Sequence, residues 1–161
     1  MDIQLILGSN GSGKSLYAED LAVQSGKPLI YLATMIPQNQ ENYQRIEKHR
    51  LQRKGKGFTT IEVPWNIHEI PVEKDAVVLL EDASNLMGTG IFVHGAEESE
   101  VLRQILSLGE KCRKLIIVSI SGLDENQYDG ETASFIHQLN TLNYDLASYA
   151  NFIHQMSEPP A

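Results

Sequence analysis

Apolar positions along the chain follow two periods. Residues 3–7, 29–33, 76–80 and 115–120 are short, nearly continuous apolar runs with the length of buried strands, and residues 59–63 form a further short strand before Pro64. Between these runs the spacing turns helical. After a turn rich in Gly and Ser, Leu16, Ala18, Leu21 and Ala22 mark a helix that Gly26 ends. Residues 40–54 read as a charged helix in which Tyr43, Ile46 and Arg50 share a face, broken by Gly55 and Gly57. Residues 97–111 read as an amphipathic helix with Val101, Ile105 and Leu108 inward, and a last helix covers 131–149. Residues 152–156 add a final edge strand. Strands alternating with helices predict an α/β fold with a mostly parallel sheet covered by helices on both faces. A single domain spans residues 1–156, and 157–161 form a flexible tail.

Composition narrows the function classes. With 161 residues the chain is long enough to bury one core without disulfides. Cys112 has no second cysteine to pair with, so it reads as a structural thiol. No apolar stretch approaches the roughly 18 residues that a membrane span needs. The start of the chain lacks the basic and apolar segments of a signal peptide, which makes the cytoplasm the expected compartment. A net charge of −8 argues against nucleic-acid binding. That charge is unevenly spread, since Arg45, Lys48, Arg50, Arg53, Lys54 and Lys56 supply six of the 13 basic residues. A purpose for this local reversal has to be found.

The strongest chemical signal lies between the first strand and the first helix. Gly8, Ser9, Asn10, Gly11, Ser12, Gly13, Lys14 and Ser15 match G-x-x-x-x-G-K-[ST], the P-loop, in the strand-turn-helix setting that the motif requires. Glycines let the backbone curl so that successive N–H groups face an anion, and the helix N-terminus adds its positive dipole end. Lys14 reaches the β and γ phosphates of ATP or GTP, and Ser15 ligates Mg²⁺. Such a site also needs a carboxylate at the end of a neighbouring strand. Glu81 and Asp82, which follow the apolar run at 76–80, are the candidates.

Beyond the P-loop the chain resembles a known family, the bifunctional adenosylcobinamide kinase and adenosylcobinamide-phosphate guanylyltransferase of cobalamin biosynthesis. Three stretches carry the resemblance: the opening Leu5 to Gly8, Lys14, Ser15, Ala18 and Glu19; the Ile30-Tyr31-Leu32-Ala33-Thr34 strand; and the basic segment. In the last, Glu41, Arg45-Ile46, His49-Arg50 and Arg53, followed by Phe58, Thr60, Glu62 and Pro64, are similar to the family's E-x-x-x-R-I-x-x-H-R-x-x-R segment and the strand after it. The resemblance implies that His49 becomes guanylylated, that Glu62 belongs to the nucleotide site, and that the chain assembles as a homo-oligomer. A neutral imidazole is a competent nucleophile toward the α-phosphorus of GTP, and nearby cations stabilise the transition state as pyrophosphate leaves. Arg45, His49 and Arg53 are spaced four apart and can share one helix face.

The second half departs from that pattern. Val118 to Gly122 stand where the family has T-N-E-V-G, and residues 132–139 lack the arginines of its R-x-F-R-D segment. The implied activity is phosphorylation of adenosylcobinamide by ATP or GTP, followed by GMP transfer through His49. Residues alone leave two alternatives open: a P-loop kinase for another small alcohol or nucleoside, and a nucleotide-binding module without catalysis. His68, His94, His137 and His154 fit no motif and read as structural or surface residues.

Overall fold

The computed structural model describes residues 1–157, so most of the tail predicted at 157–161 lies outside the described residues. Six strands, β1 (Ile3–Gly8), β2 (Leu29–Ala33), β3 (Phe58–Glu62), β4 (Val77–Glu81), β5 (Lys114–Ile120) and β6 (Phe152–Gln155), form one sheet. Their order is β3-β2-β4-β5-β1-β6, and every pairing is parallel. Five helices cover it: α1 (Lys14–Ser25), α2 (Gln40–Arg53), α3 (Ala83–Phe92), α4 (Glu98–Lys111) and α5 (Gly130–Tyr149).

Parallel strands are buried on both faces, and the runs that predicted them are accordingly apolar. All five residues of β4 are buried. On one side Ile6, Tyr31, Leu79 and Val118 meet Ala18 and Ala22 of α1. On the other, Leu5, Leu80 and Ile117 meet Leu86 of α3, Ile105 and Leu108 of α4 and Leu142 of α5. Each fully buried aliphatic side chain of this kind contributes about 1.5–3 kcal/mol. Val101, Ile105 and Leu108 all turn inward as their spacing predicted.

Two features differ from the expectations of the sequence. Helix α3 has no counterpart among the predicted elements, because Gly88 and Gly90 lower helix propensity. Tertiary packing overrides that cost: a Cβ at Gly90 would stand 2.8 Å from the Trp65 ring, so the glycine is there for close approach. The second correction concerns the acidic strand. β4 does not neighbour the P-loop strand, since β5 lies between them. Helix α1 closes the gap by crossing the sheet to pack on β5 and β4, which carries the start of the helix toward the end of β4.

Candidate active site

The P-loop takes its shape from a few backbone constraints. Gly11 and Gly13 have φ of 78° and 85°, the left-handed region that suits glycine. Gly8 is needed for another reason, because a Cβ there would lie 2.5 Å from Ser12 Oγ and 3.0 Å from Met156 Cβ. Gly13 precedes α1 without a side-chain cap, and no acid stands in the first turn. The first N–H groups of this helix are therefore left to an anion. Lys14 Nζ donates to Ser9 O at 3.1 Å, folding the side chain back over the loop. Burial pushes its ammonium below the ordinary lysine value, against the pull of Asp82 and Glu81.

Thr34 fixes the acids. Its hydroxyl donates to Asp82 O at 2.9 Å and accepts from Asp82 N–H at 2.9 Å, while its own N–H donates to Glu81 O at 3.2 Å. The two acids then take different roles. Asp82 caps α3, accepting Asn85 N–H on Oδ1 at 2.7 Å, so one of its oxygens is committed to structure. Glu81 Oε2 is buried without a hydrogen-bond partner, as are Ser15 Oγ and Ser12 Oγ. Burial first, and then the Asp82 charge, push the Glu81 carboxyl up to about 8. An orphaned carboxylate oxygen and an orphaned hydroxyl at the head of a P-loop helix match the ligand chemistry of Mg²⁺.

Helix α2 supplies the cations. Asn39 caps it, accepting from Asn42 N–H at 2.8 Å, and Glu41 suits its first turn. His49 sits above the end of β4, with Nδ1 3.4 Å from the Tyr31 hydroxyl and 3.9 Å from Glu81 Oε1. Burial, and then Arg53, Arg45, Lys48 and Lys14, hold its imidazole below the usual histidine range, so it is neutral near pH 7. Arg53 is buried, lies 3.6 Å over the Tyr31 ring and donates to Thr60 Oγ1 at 3.2 Å. Arg45 is exposed and reaches the site from its rim.

One open cleft of about 1530 Å³ collects these groups. Its wall includes Asn10, Gly11, Gly13, Lys14, Ser15, Arg45, His49, Arg53, Glu62, Glu81 and Asp82, while Gly8, Ser9 and Ser12 complete the loop behind it. Sequence reasoning missed three contributors. Tyr31 and Thr34 enter it through resemblance alone, and the buried Glu19 has no role there. Glu19 accepts from Gln52 Nε2 at 2.6 Å and Lys56 Nζ at 3.1 Å, tying α1 to the end of α2. An acid inside the Ala18 and Ala22 stripe was the available signal. The other histidines stand apart: His94 stacks on Trp65, His137 pairs with Glu125, and His154 bonds Tyr17 and Gln4.

Comparison with known proteins decides the family. The profile of the family described as cobinamide kinase / cobinamide phosphate guanyltransferase (CobU) matches residues 4–157. The chain belongs to this family. It is a transferase of cobalamin biosynthesis, and the match extends through the second half, where the short motifs diverge. Among solved structures it is similar to an ATPase domain, at 9% identity and a TM-score of 0.56, covering 98% of this chain and 69% of that one. That likeness shows a shared α/β fold. A flagellar accessory protein, FlaH from Methanocaldococcus jannaschii, matches at 16% identity and a TM-score of 0.47, over 88% of this chain and 67% of that one. No curated protein sequence matches the chain. Among the described residues, no helix of this CobU-family chain is long and apolar enough to cross a membrane.

Proposed function

We propose that this chain transfers the γ-phosphoryl of ATP or GTP to the hydroxyl of adenosylcobinamide, and then carries GMP on His49 to the phosphate so made. The observation that carries this reading is the placement of a neutral His49 in the same cleft as Lys14, Ser15 and Glu81. In the first step Lys14 and the loop N–H groups align the phosphates, which is most of what phosphoryl transfer asks of a protein. Ser15 and Glu81, with the Asp82 carboxyl in the same cleft, would hold Mg²⁺. When bound, that ion offsets the charge of the β and γ phosphates. Among the described residues no cluster of three acids, histidines or cysteines could hold a metal alone, so the nucleotide itself would complete the coordination.

In the second step a His49 nitrogen forms a bond to the α-phosphorus of GTP. The bond from phosphorus to the bridging oxygen breaks, and its electron pair leaves with pyrophosphate. Arg45 and Arg53 offset the charge building on the phosphoryl oxygens, and Glu62 lines the cleft beyond them. The acceptor phosphate then displaces the histidine. A cleft of about 1530 Å³ exceeds the roughly 300–1,000 Å³ of an ordinary small-ligand site, which suits a nucleotide beside a bulky corrinoid. A homo-oligomer working in the cytoplasm on small molecules, with no nucleic-acid partner, belongs to the same reading, and sedimentation velocity tests its assembly.

The deciding experiment incubates the protein with Mg²⁺ and GTP radiolabelled on its α-phosphate. Acid-labile, base-stable label on the chain, absent from His49→Ala, is the expected result. Confirmed GTP binding without label would remove His49 as nucleophile.

A further inference from the structure

The side chains given roles above are polar, yet part of the same cleft is apolar. Ile36 and Pro37 belong to the loop between β2 and α2, and Tyr43 and Ile46 stand one turn apart on α2, on the flank next to the face of Arg45, His49 and Arg53. Val63 and Pro64 join them from the end of β3, where Val63 N–H donates to Ala33 O at 2.9 Å. Tyr43 is 58% exposed and Ile36 41%. Single exposed apolar residues are ordinary, but several gathered along one wall of a ligand cleft mark a surface that a ligand covers.

Strand order indicates which ligand. The sheet runs β3-β2-β4-β5-β1, so the loop after β2 lies three strand spacings, roughly 14 Å, from the P-loop strand. Lys14 and Ser15 at the head of α1 and Glu81 at the end of β4 stand between. The apolar wall therefore lies beyond the phosphates, on the side from which an acceptor hydroxyl reaches them. Its openness bears on size. A site encloses most of a small ligand such as a purine, whereas side chains left half in water suit a body too large to enclose. We propose that Ile36, Tyr43 and their apolar neighbours form a shelf for the flat macrocycle of the corrinoid acceptor, with Gln44, which lines the same cleft, for its amide side chains.

This rests on the acceptor being a corrinoid, as proposed above. The shelf contributes to acceptor affinity and leaves the phosphate chemistry to Lys14, Ser15 and Glu81. Covering the exposed half of a large apolar side chain is worth about four- to tenfold in affinity, and two such side chains about twenty- to a hundredfold.

The test is the double variant Ile36→Ser with Tyr43→Ser. Both side chains are exposed, so the melting temperature should not change. Equilibrium dialysis of adenosylcobinamide, followed by its visible absorbance, reads binding directly, and phosphorylation at varied acceptor concentration reads KM and kcat. The expected result is an affinity lower by about twenty- to a hundredfold and a matching rise in KM, with kcat at saturation, GTP affinity and His49 labelling by GTP at parental values. Tyr43→Phe should bind like the parent, because the ring makes the contact. Parental acceptor affinity in the double variant, or a loss confined to GTP, would overturn the shelf and leave the kinase reading intact. A parent that binds adenosylcobinamide through these residues yet never phosphorylates it sinks the kinase reading and keeps the shelf. A parent that does not bind it overturns both.

Discussion

Lys56→Met isolates the tether between the phosphate-binding helix and the helix that carries His49. Glu19 is fully buried on α1, and its carboxylate meets Lys56 at 3.1 Å and Gln52 at 2.6 Å. Methionine keeps the stem of Lys56 and removes its charge, leaving the carboxylate with the Gln52 amide alone. Breaking a fully buried pair this way costs about 3–5 kcal/mol. The Lys56 side chain is 27% exposed, and water offsets part of that loss, so about 2–3 kcal/mol is expected. At this chain length each kcal/mol moves the melting temperature by about 2–4 °C, which gives a fall of roughly 5–10 °C.

Glu19→Gln behaves differently. The amide retains an acceptor for Gln52, and the ammonium left behind can turn toward water, so about 1 kcal/mol is lost. Combining the two changes removes both charges from the pocket, and the double variant should melt above Lys56→Met alone. That inversion is the signature of an uncompensated buried charge. Thermal and urea unfolding at neutral pH, with amide exchange followed along α2, are the assays. If Lys56→Met melts within about 1 °C of the parent, or the double variant is no better than Lys56→Met, the reasoning is wrong.

Two further outcomes follow from the site and the rim of the fold. Lys14→Ala should lower phosphoryl transfer by about a hundred- to a thousandfold without lowering the melting temperature, because the ammonium is held at a desolvation cost; steady-state kinetics with undiminished turnover would refute it. Burial and the neighbouring Asp145 carboxyl push Glu98 up to about 7, so the folded chain binds that proton more tightly than the unfolded one. The stability it contributes is complete below the ordinary carboxylate range and is lost as pH rises through about 7. Melting curves from about pH 5 to about pH 8 should therefore decline more in the parent than in Glu98→Gln, and parallel declines would contradict the assignment.

The P-loop was legible because its chemistry is local. Gly8 to Ser15 need only each other, the strand before them and the helix after them. Strands at 29–33 and 115–120 were legible too, since burial on both faces leaves an uninterrupted apolar record. What escaped the sequence depends on distant partners. Gly90 reads as a helix breaker until Trp65 is placed against it. The order of strands is also invisible locally, and an acid at the end of β4 comes near the P-loop only because α1 leans across β5.

Helix α2 shows the same limit from the other side. Its apolar residues Tyr43 and Leu51 are exposed at 58% and 61%, while among its residues Arg53 is the buried one. The face that turns to the cleft is the one on which Arg45, His49 and Arg53 are spaced four apart. This helix is held by polar contacts: Gln52 and nearby Lys56 to Glu19, Arg53 to Tyr31 and Thr60, and His49 to Tyr31. Each links a residue in or just after α2 to α1 or the sheet, and each costs desolvation on docking. A helix attached this way contributes little net stability, so hydrophobic packing does not explain its position. The arrangement is intelligible as chemistry: the contacts that hold α2 down also set the charge, the neutrality and the orientation of His49 above the phosphate site.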